Sequence, residues 1–244
     1  MASTDVLKVD DSRWKAAQEF ELRFAKHTVD SGDDYNYWWY SEFDHYEVLQ
    51  KRYFRNVIEV GCGPHTNIRL LLPLIKFEHL WLEDPLIHEY RKLSKERRIL
   101  RSLRYRSLTT VASLARRYPV TFLSEKLEDL SLPDESVDLC LCINVLDHVQ
   151  DVDRCLMHMR RVLRVGGVLI VGQDLSNEQD RETCPESWSD IGHPIKMDDV
   201  YLDLRLGDMT PLFRKILPRE KGRNARCHYG TYLIIVQNNH DKKR

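Results

Sequence analysis

The 244-residue chain contains no run of about eighteen apolar residues, the length a membrane-crossing helix needs. Its first stretch, Met1 to Asp11, is polar and lacks the apolar core of a secretory leader, so a reducing, cytoplasmic location is the default expectation. Neither sign of charge is in excess. The 37 Lys and Arg against 38 Asp and Glu leave a formal net charge of −1, which disfavours a general nucleic-acid surface and leaves room only for a local basic patch. The six cysteines (Cys62, Cys140, Cys142, Cys155, Cys184, Cys227) include no CxxC pair and no cluster with histidines, so no metal site is expected and all six read as buried free thiols. Cys140 and Cys142 alternate along an apolar run, which puts both on one face of a strand. Internal repeats and low-complexity segments are absent.

What remains is the signature of one α/β domain preceded by a helical extension. From Ser12, a plausible N-cap, to about His27 the apolar spacing fits an amphipathic helix. A turn follows at Asp30–Asp34, and a very aromatic segment (Tyr35, Tyr37, Trp38, Trp39, Tyr40, Phe43, Tyr46) is expected to continue as a second helix to about Tyr53. Consecutive aromatics cannot all face one side of a helix, so some of them must be core anchors. The expected boundary places the extension, a lid, at 1–54 and the main domain at 55–244. Strands are expected at Val57–Val60, His79–Glu83, Val120–Leu123, Val137–Ile143, Val168–Gly172 and Tyr232–Gln237, the last pairing with a strand near Phe213–Leu217. Between them Asp151–Leu163 carries an apolar helical face.

Three stretches carry chemistry. In Val57-Ile-Glu59-Val-Gly61-Cys62-Gly63-Pro-His-Thr66 an apolar strand runs into a glycine turn and a helix start near Thr66. Glycines allow close approach of the backbone to a ligand, and free N–H groups at the helix start face its polar atoms. A dinucleotide fingerprint needs glycine where Thr66 stands, which argues against a pyrophosphate ligand. About twenty residues on, Leu80-Trp-Leu-Glu83-Asp84-Pro ends a second strand with a carboxylate where α/β folds hold ribose hydroxyls. Asp84 is the first choice, because the Asp-Pro pair breaks the strand there, with Glu83 the open alternative. The third stretch runs from Glu128 through Leu130-Ser-Leu-Pro-Asp-Glu-Ser-Val-Asp138 and Asn144-Val-Leu-Asp147-His148 to Arg161-Val-Leu-Arg-Val-Gly-Gly167.

Together these motifs resemble the class I S-adenosylmethionine (SAM)-dependent methyltransferases, in particular the type 11 group, over about residues 55 to 175. The resemblance implies a Rossmann-like, seven-stranded, mostly parallel sheet flanked by helices. It implies SAM as cofactor and S-adenosylhomocysteine as product. By the same resemblance Glu59, Gly61, Cys62, Gly63, Asp84, Leu127 and Asn144 bind the cofactor: Gly61, Cys62 and Gly63 lie along the methionine part, Asp84 holds the ribose, Leu127 receives the adenine and Asn144 lies beside the sulfonium. The chain departs from the pattern at Pro64-His65, which implies a reshaped loop, and at Lys126, where the family often has an acid.

Methyl transfer to a hydroxyl requires removal of a proton, and histidine, with an ordinary pKa of about 6.5, suits that work. His148 follows the fourth strand at its carboxyl end, and His193 lies in Asp190-Ile-Gly-His-Pro194. These are the two candidate catalytic residues, with Asp147 and Asp174 as weaker ones. A small-molecule or glycan acceptor is expected, with a sugar hydroxyl as the single best choice by analogy with polysaccharide methyltransferases. RNA methylation rests only on the basic stretch Arg91 to Arg117, and the chain lacks an N/D-P-P-Y/F tetrad. A third alternative is a methyltransferase fold that binds SAM or a partner without turnover.

Overall fold

A computed structural model of the chain describes residues 7–31, 35–96 and 111–239. It contains the strands β1 (Tyr53–Val60), β2 (Lys76–Glu83), β3 (Val120–Leu123), β4 (Val137–Ile143), β5 (Leu163–Leu175), β6 (Thr210–Pro218) and β7 (Gly230–Gln237). Its helices are α1 (Asp11–Ser31), α2 (Asn36–Glu42), α3 (Ile68–Leu71), α4 (Ile87–Glu96), α5 (Val111–Leu114), α6 (Val152–Val162) and α7 (Asp199–Leu206). The strands form one sheet in the order β3-β2-β1-β4-β5-β7-β6. β1 to β5 run parallel, whereas β7 runs against both β5 and β6. This is the Rossmann-like, mostly parallel seven-stranded sheet that the resemblance implied.

Alternation along the central strands divides the core between the two faces of the sheet. Ile58, Val60, Leu169 and Val171 pack with Leu156 and Met159 of α6 and Leu202 of α7. Val57, Leu139, Leu141 and Ile170 pack on the opposite face with Trp39, Phe43 and Ile87. Cys140 and Cys142 share the α6 face, as their spacing predicted. Asp151 caps α6 by accepting from Arg154 N at 3.0 Å.

The sequence reading needs three corrections. The aromatic segment is not one helix to Tyr53: α2 ends at Glu42, and Asp44, His45 and Tyr46 take left-handed backbone angles. Burial decides this, because the reversal stacks Phe43 on Tyr46 at 4.9 Å and sinks both rings with Trp39 into the core. Cys184 and Cys227 are not free thiols; they are joined in a disulfide 43 residues apart in sequence. Because β7 returns antiparallel along β5, the segment after β5 lies beside the segment before β7, a proximity no local spacing announces. Finally, α7 and a wide helical turn at Ser187–Gly192 form where no element was expected. Much of the basic stretch Arg91 to Arg117 lies outside the described residues. No helix among the described residues is long and apolar enough to cross a membrane.

Candidate cofactor and acceptor site

β1 delivers the chain into a turn held from below. Glu59, 1% exposed at the end of β1, accepts from Asn67 N at 2.7 Å, Ile68 N at 3.0 Å and Asn67 Nδ2 at 3.2 Å. Burial pushes its carboxyl up to about 7 even though these donors pull the other way. Above it, Gly61 and Gly63 have φ of 55° and 59°, the left-handed region. A Cβ on Gly61 would lie 2.5 Å from the Val145 side chain, so that position excludes any other residue. His65 takes no such angle, so Pro64-His65 needs no glycine.

The tip of β2 closes on this turn. Gly61 N donates to Glu83 Oε2 at 3.2 Å, and Gly63 N donates to Asp84 Oδ2 at 3.1 Å. Leu86 N adds a bond to Asp84 Oδ1 at 2.8 Å. Burial nevertheless raises Asp84 to about 6, and burial with the neighbouring Asp84 raises Glu83 well above the carboxylate range. Two buried oxygens, Glu83 Oε1 and Asn144 Oδ1, have no hydrogen-bond partner. Asn144, just past β4, itself sits at φ 58° and bonds through its N to Gly172 O at 2.7 Å.

These groups meet in one open cleft. Gly61, Cys62, Gly63, Asp84, Leu127 and Asn144 all line it, and so does His148. The donor set fits SAM. Orphaned carboxylate and amide oxygens suit ribose hydroxyls, an ammonium and a cationic sulfur, and the turn lacks the third glycine of a pyrophosphate site. Glu59 lies beneath the cleft as a support for the loop rather than on its wall.

One side of the cleft is formed by α1, whose Trp14, Gln18, Glu21 and Phe24 line it. Phe20 and Phe24 meet Trp188 edge-on at 5.7 and 5.4 Å, which fixes α1 against the turn preceding His193. His148 Nδ1 bonds to Gly192 O at 2.7 Å and lies 3.6 Å from Glu21 Oε1; its Nε2 lies 3.5 Å from Asp147 Oδ1. Burial lowers the pKa of His148, but the Asp147 and Glu21 carboxylates outweigh it and the net shift is upward. His193, one ring behind at 4.6 Å, is pushed down to about 3 by burial and then by His148. His193 does not reach the cleft wall. Asp174 is engaged elsewhere, with Arg223 at 2.9 Å and Thr231 Oγ1 at 3.0 Å.

Sequence reasoning missed Glu21, Asn36 and Glu128, all on the cleft wall. Glu21 gave only a helical-face signal. Glu128 lay inside a quoted motif, two residues past Lys126, and is the buried acid of that loop, accepting from Asp151 N at 2.9 Å. Lys126 itself stands 3.7 Å over the Trp14 ring and donates to Gln150 at 2.9 Å.

Sheet order and glycine turn define an α/β domain of the methyltransferase fold. The family described as "Methyltransferase domain" matches residues 58–171, the stretch that holds the glycine turn, Asp84 and Asn144. A probable SAM-dependent methyltransferase of Mycolicibacterium smegmatis is 30% identical over 153 residues, which cover 60% of this chain and 49% of that protein. The human thiol S-methyltransferase TMT1B is 32% identical over 143 residues, 56% of this chain and 52% of its own. The chain thus spans about half the length of the curated relatives it matches. In fold it is similar to the cyclase SpnF, with a TM-score of 0.64, 15% identity, and 96% and 99% of the two chains covered. It is likewise similar to a Burkholderia thailandensis N1-methyltransferase crystallised with 1,6-didemethyltoxoflavin and S-adenosylhomocysteine, with a TM-score of 0.59, 14% identity, and 98% and 97% covered.

Proposed function

We propose that the chain is an active SAM-dependent methyltransferase whose acceptor is a sugar hydroxyl on a glycan or small molecule. The observation that carries the reading is the composition of the cleft lining. It combines aromatic side chains (Trp14, Phe24, Tyr35) with hydrogen-bonding ones (Gln18, Glu21, Asn36). Sugars are bound by that combination, since they offer apolar C–H faces ringed by hydroxyls.

When bound, SAM supplies a methyl group on a cationic sulfur. The chain's task is to align the acceptor with it, exclude water under α1 and remove the acceptor's proton. His148 is the candidate base, supported by its position on the cleft wall and by the two carboxylates that raise its basicity. His193 and Asp147 act behind it, holding the ring.

A second reading has one observation in its favour. SpnF is named as a cyclase, so this fold by itself does not fix methyl transfer as the chemistry. Calorimetry with SAM and S-adenosylhomocysteine, followed by radiolabelled methyl transfer to glycans, thiols, phenols and RNA, separates the readings. Label in sugars supports the proposal. Label only in thiols or RNA replaces the acceptor, and binding without any label favours the second reading.

A further inference from the structure

His148 on the cleft wall and Asp147 and His193 behind it bring one ligand atom each to within 4.8 Å of one another. Both imidazoles are oriented by backbone carbonyls. His148 Nδ1 bonds to Gly192 O at 2.7 Å and His193 Nδ1 bonds to Trp188 O at 2.8 Å. A carbonyl oxygen only accepts, so Nδ1 carries the hydrogen in each ring, and in the neutral ring the lone pair belongs to Nε2. Those two Nε2 atoms are the ones facing Asp147, at 3.5 Å from Oδ1 and 3.9 Å from Oδ2. Asp147 is 1% exposed; the Gln173 amide stands near its carboxylate, but no hydrogen bond of ordinary length reaches either oxygen.

Three electron-pair donors therefore converge on one buried point. The geometry points to a site for a divalent first-row transition ion of the zinc type, held by the Asp147 carboxylate and the Nε2 atoms of His148 and His193. Two imidazoles and one carboxylate are a ligand set such ions accept. Bonds of about 2.0–2.2 Å in tetrahedral array put ligand atoms about 3.3–3.5 Å apart, so the observed separations close with small side-chain rotations. Donation of the second ring N–H to a carbonyl is the supporting contact that metal-bound histidines nearly always make. The ion would pin the Ser187–Gly192 turn, through His193, to the end of β4, and so fix the acceptor wall. Ion and proton compete for the same lone pair of His148, so proton removal by His148 belongs to the ion-free chain, with the ring turned to bring that nitrogen from Asp147 to the cleft.

The test uses the full chain, stripped with a chelator and titrated with Zn²⁺ by calorimetry, then with Co²⁺ by visible absorption. The expected result is one ion per chain, with Co²⁺ d–d bands and no thiolate charge-transfer band. Asp147→Asn and His193→Gln should each weaken Zn²⁺ binding by roughly tenfold or more. The exposed His88→Gln should leave it unchanged. Absence of saturable binding at micromolar Zn²⁺, a thiolate band, or affinity unaltered in both site variants would overturn the site. Should the site variants fail to fold, the Co²⁺ spectrum of the unsubstituted chain decides. Neither SAM nor an acceptor enters these measurements, so the outcome is independent of the methyl-transfer proposal.

Discussion

Two carboxylates at consecutive positions of a buried strand tip resist ionising together, and Glu83 and Asp84 are such a pair. Ribose hydroxyls are best held by an ionised acceptor. With Asp84 raised to about 6, SAM affinity should climb as pH rises from about 5 to about 7 and then level off, which calorimetry at constant salt can follow. Asp84→Asn should cost roughly 10- to 100-fold in affinity, the worth of a charge-assisted hydrogen bond, and should abolish that pH dependence. His148→Ala should lower turnover by about 10²–10⁴-fold while SAM affinity stays within about twofold, and His193→Ala should act in the same direction. Unchanged single-turnover rates in both variants would remove histidine from the chemistry.

At the level of elements, the loop between β1 and α3 depends on one side chain beneath it. Glu59 satisfies the first N–H groups of a one-turn helix that has no side-chain cap of its own. Glu59→Ala should therefore destabilise the chain by roughly 1–3 kcal/mol in denaturant unfolding. Its folded pKa of about 7 lies above the ordinary 4.5, so the neutral form is favoured by folding. The stability it lends is present below about pH 4.5 and is lost as pH rises through about 7. Glu59→Gln, which cannot ionise, should flatten that part of the stability–pH curve.

Across the whole molecule, the α1 side of the cleft is assembled from parts remote in sequence: α1, the turn after β4 and the loop between β5 and α7. The Cys184–Cys227 disulfide ties that loop to the segment before β7. Thiol labelling of the denatured, unreduced chain should modify four cysteines (Cys62, Cys140, Cys142, Cys155), and reduction should expose all six. Closing a loop of this length contributes about 2–4 kcal/mol, so Cys184→Ser with Cys227→Ser should lower the melting temperature measurably.

The sequence by itself determined the sheet and the glycine-turn side of the cleft. The β1–turn, the β2 acid and β4 with Asn144 are each short contiguous motifs whose local pattern dictates backbone and burial together, as at Gly61, Asp84 and the wholly apolar Val137–Ile143. Only the tertiary structure decided the α1 side of the cleft. Glu21 on α1, His148 after β4 and His193 beyond β5 meet because the antiparallel return of β7 and the packing of α1 on Trp188 bring them together. Those contacts follow from long-range burial, which leaves no periodicity in the chain to read, and the same cause hid the Cys184–Cys227 pairing and the reversal at Tyr46.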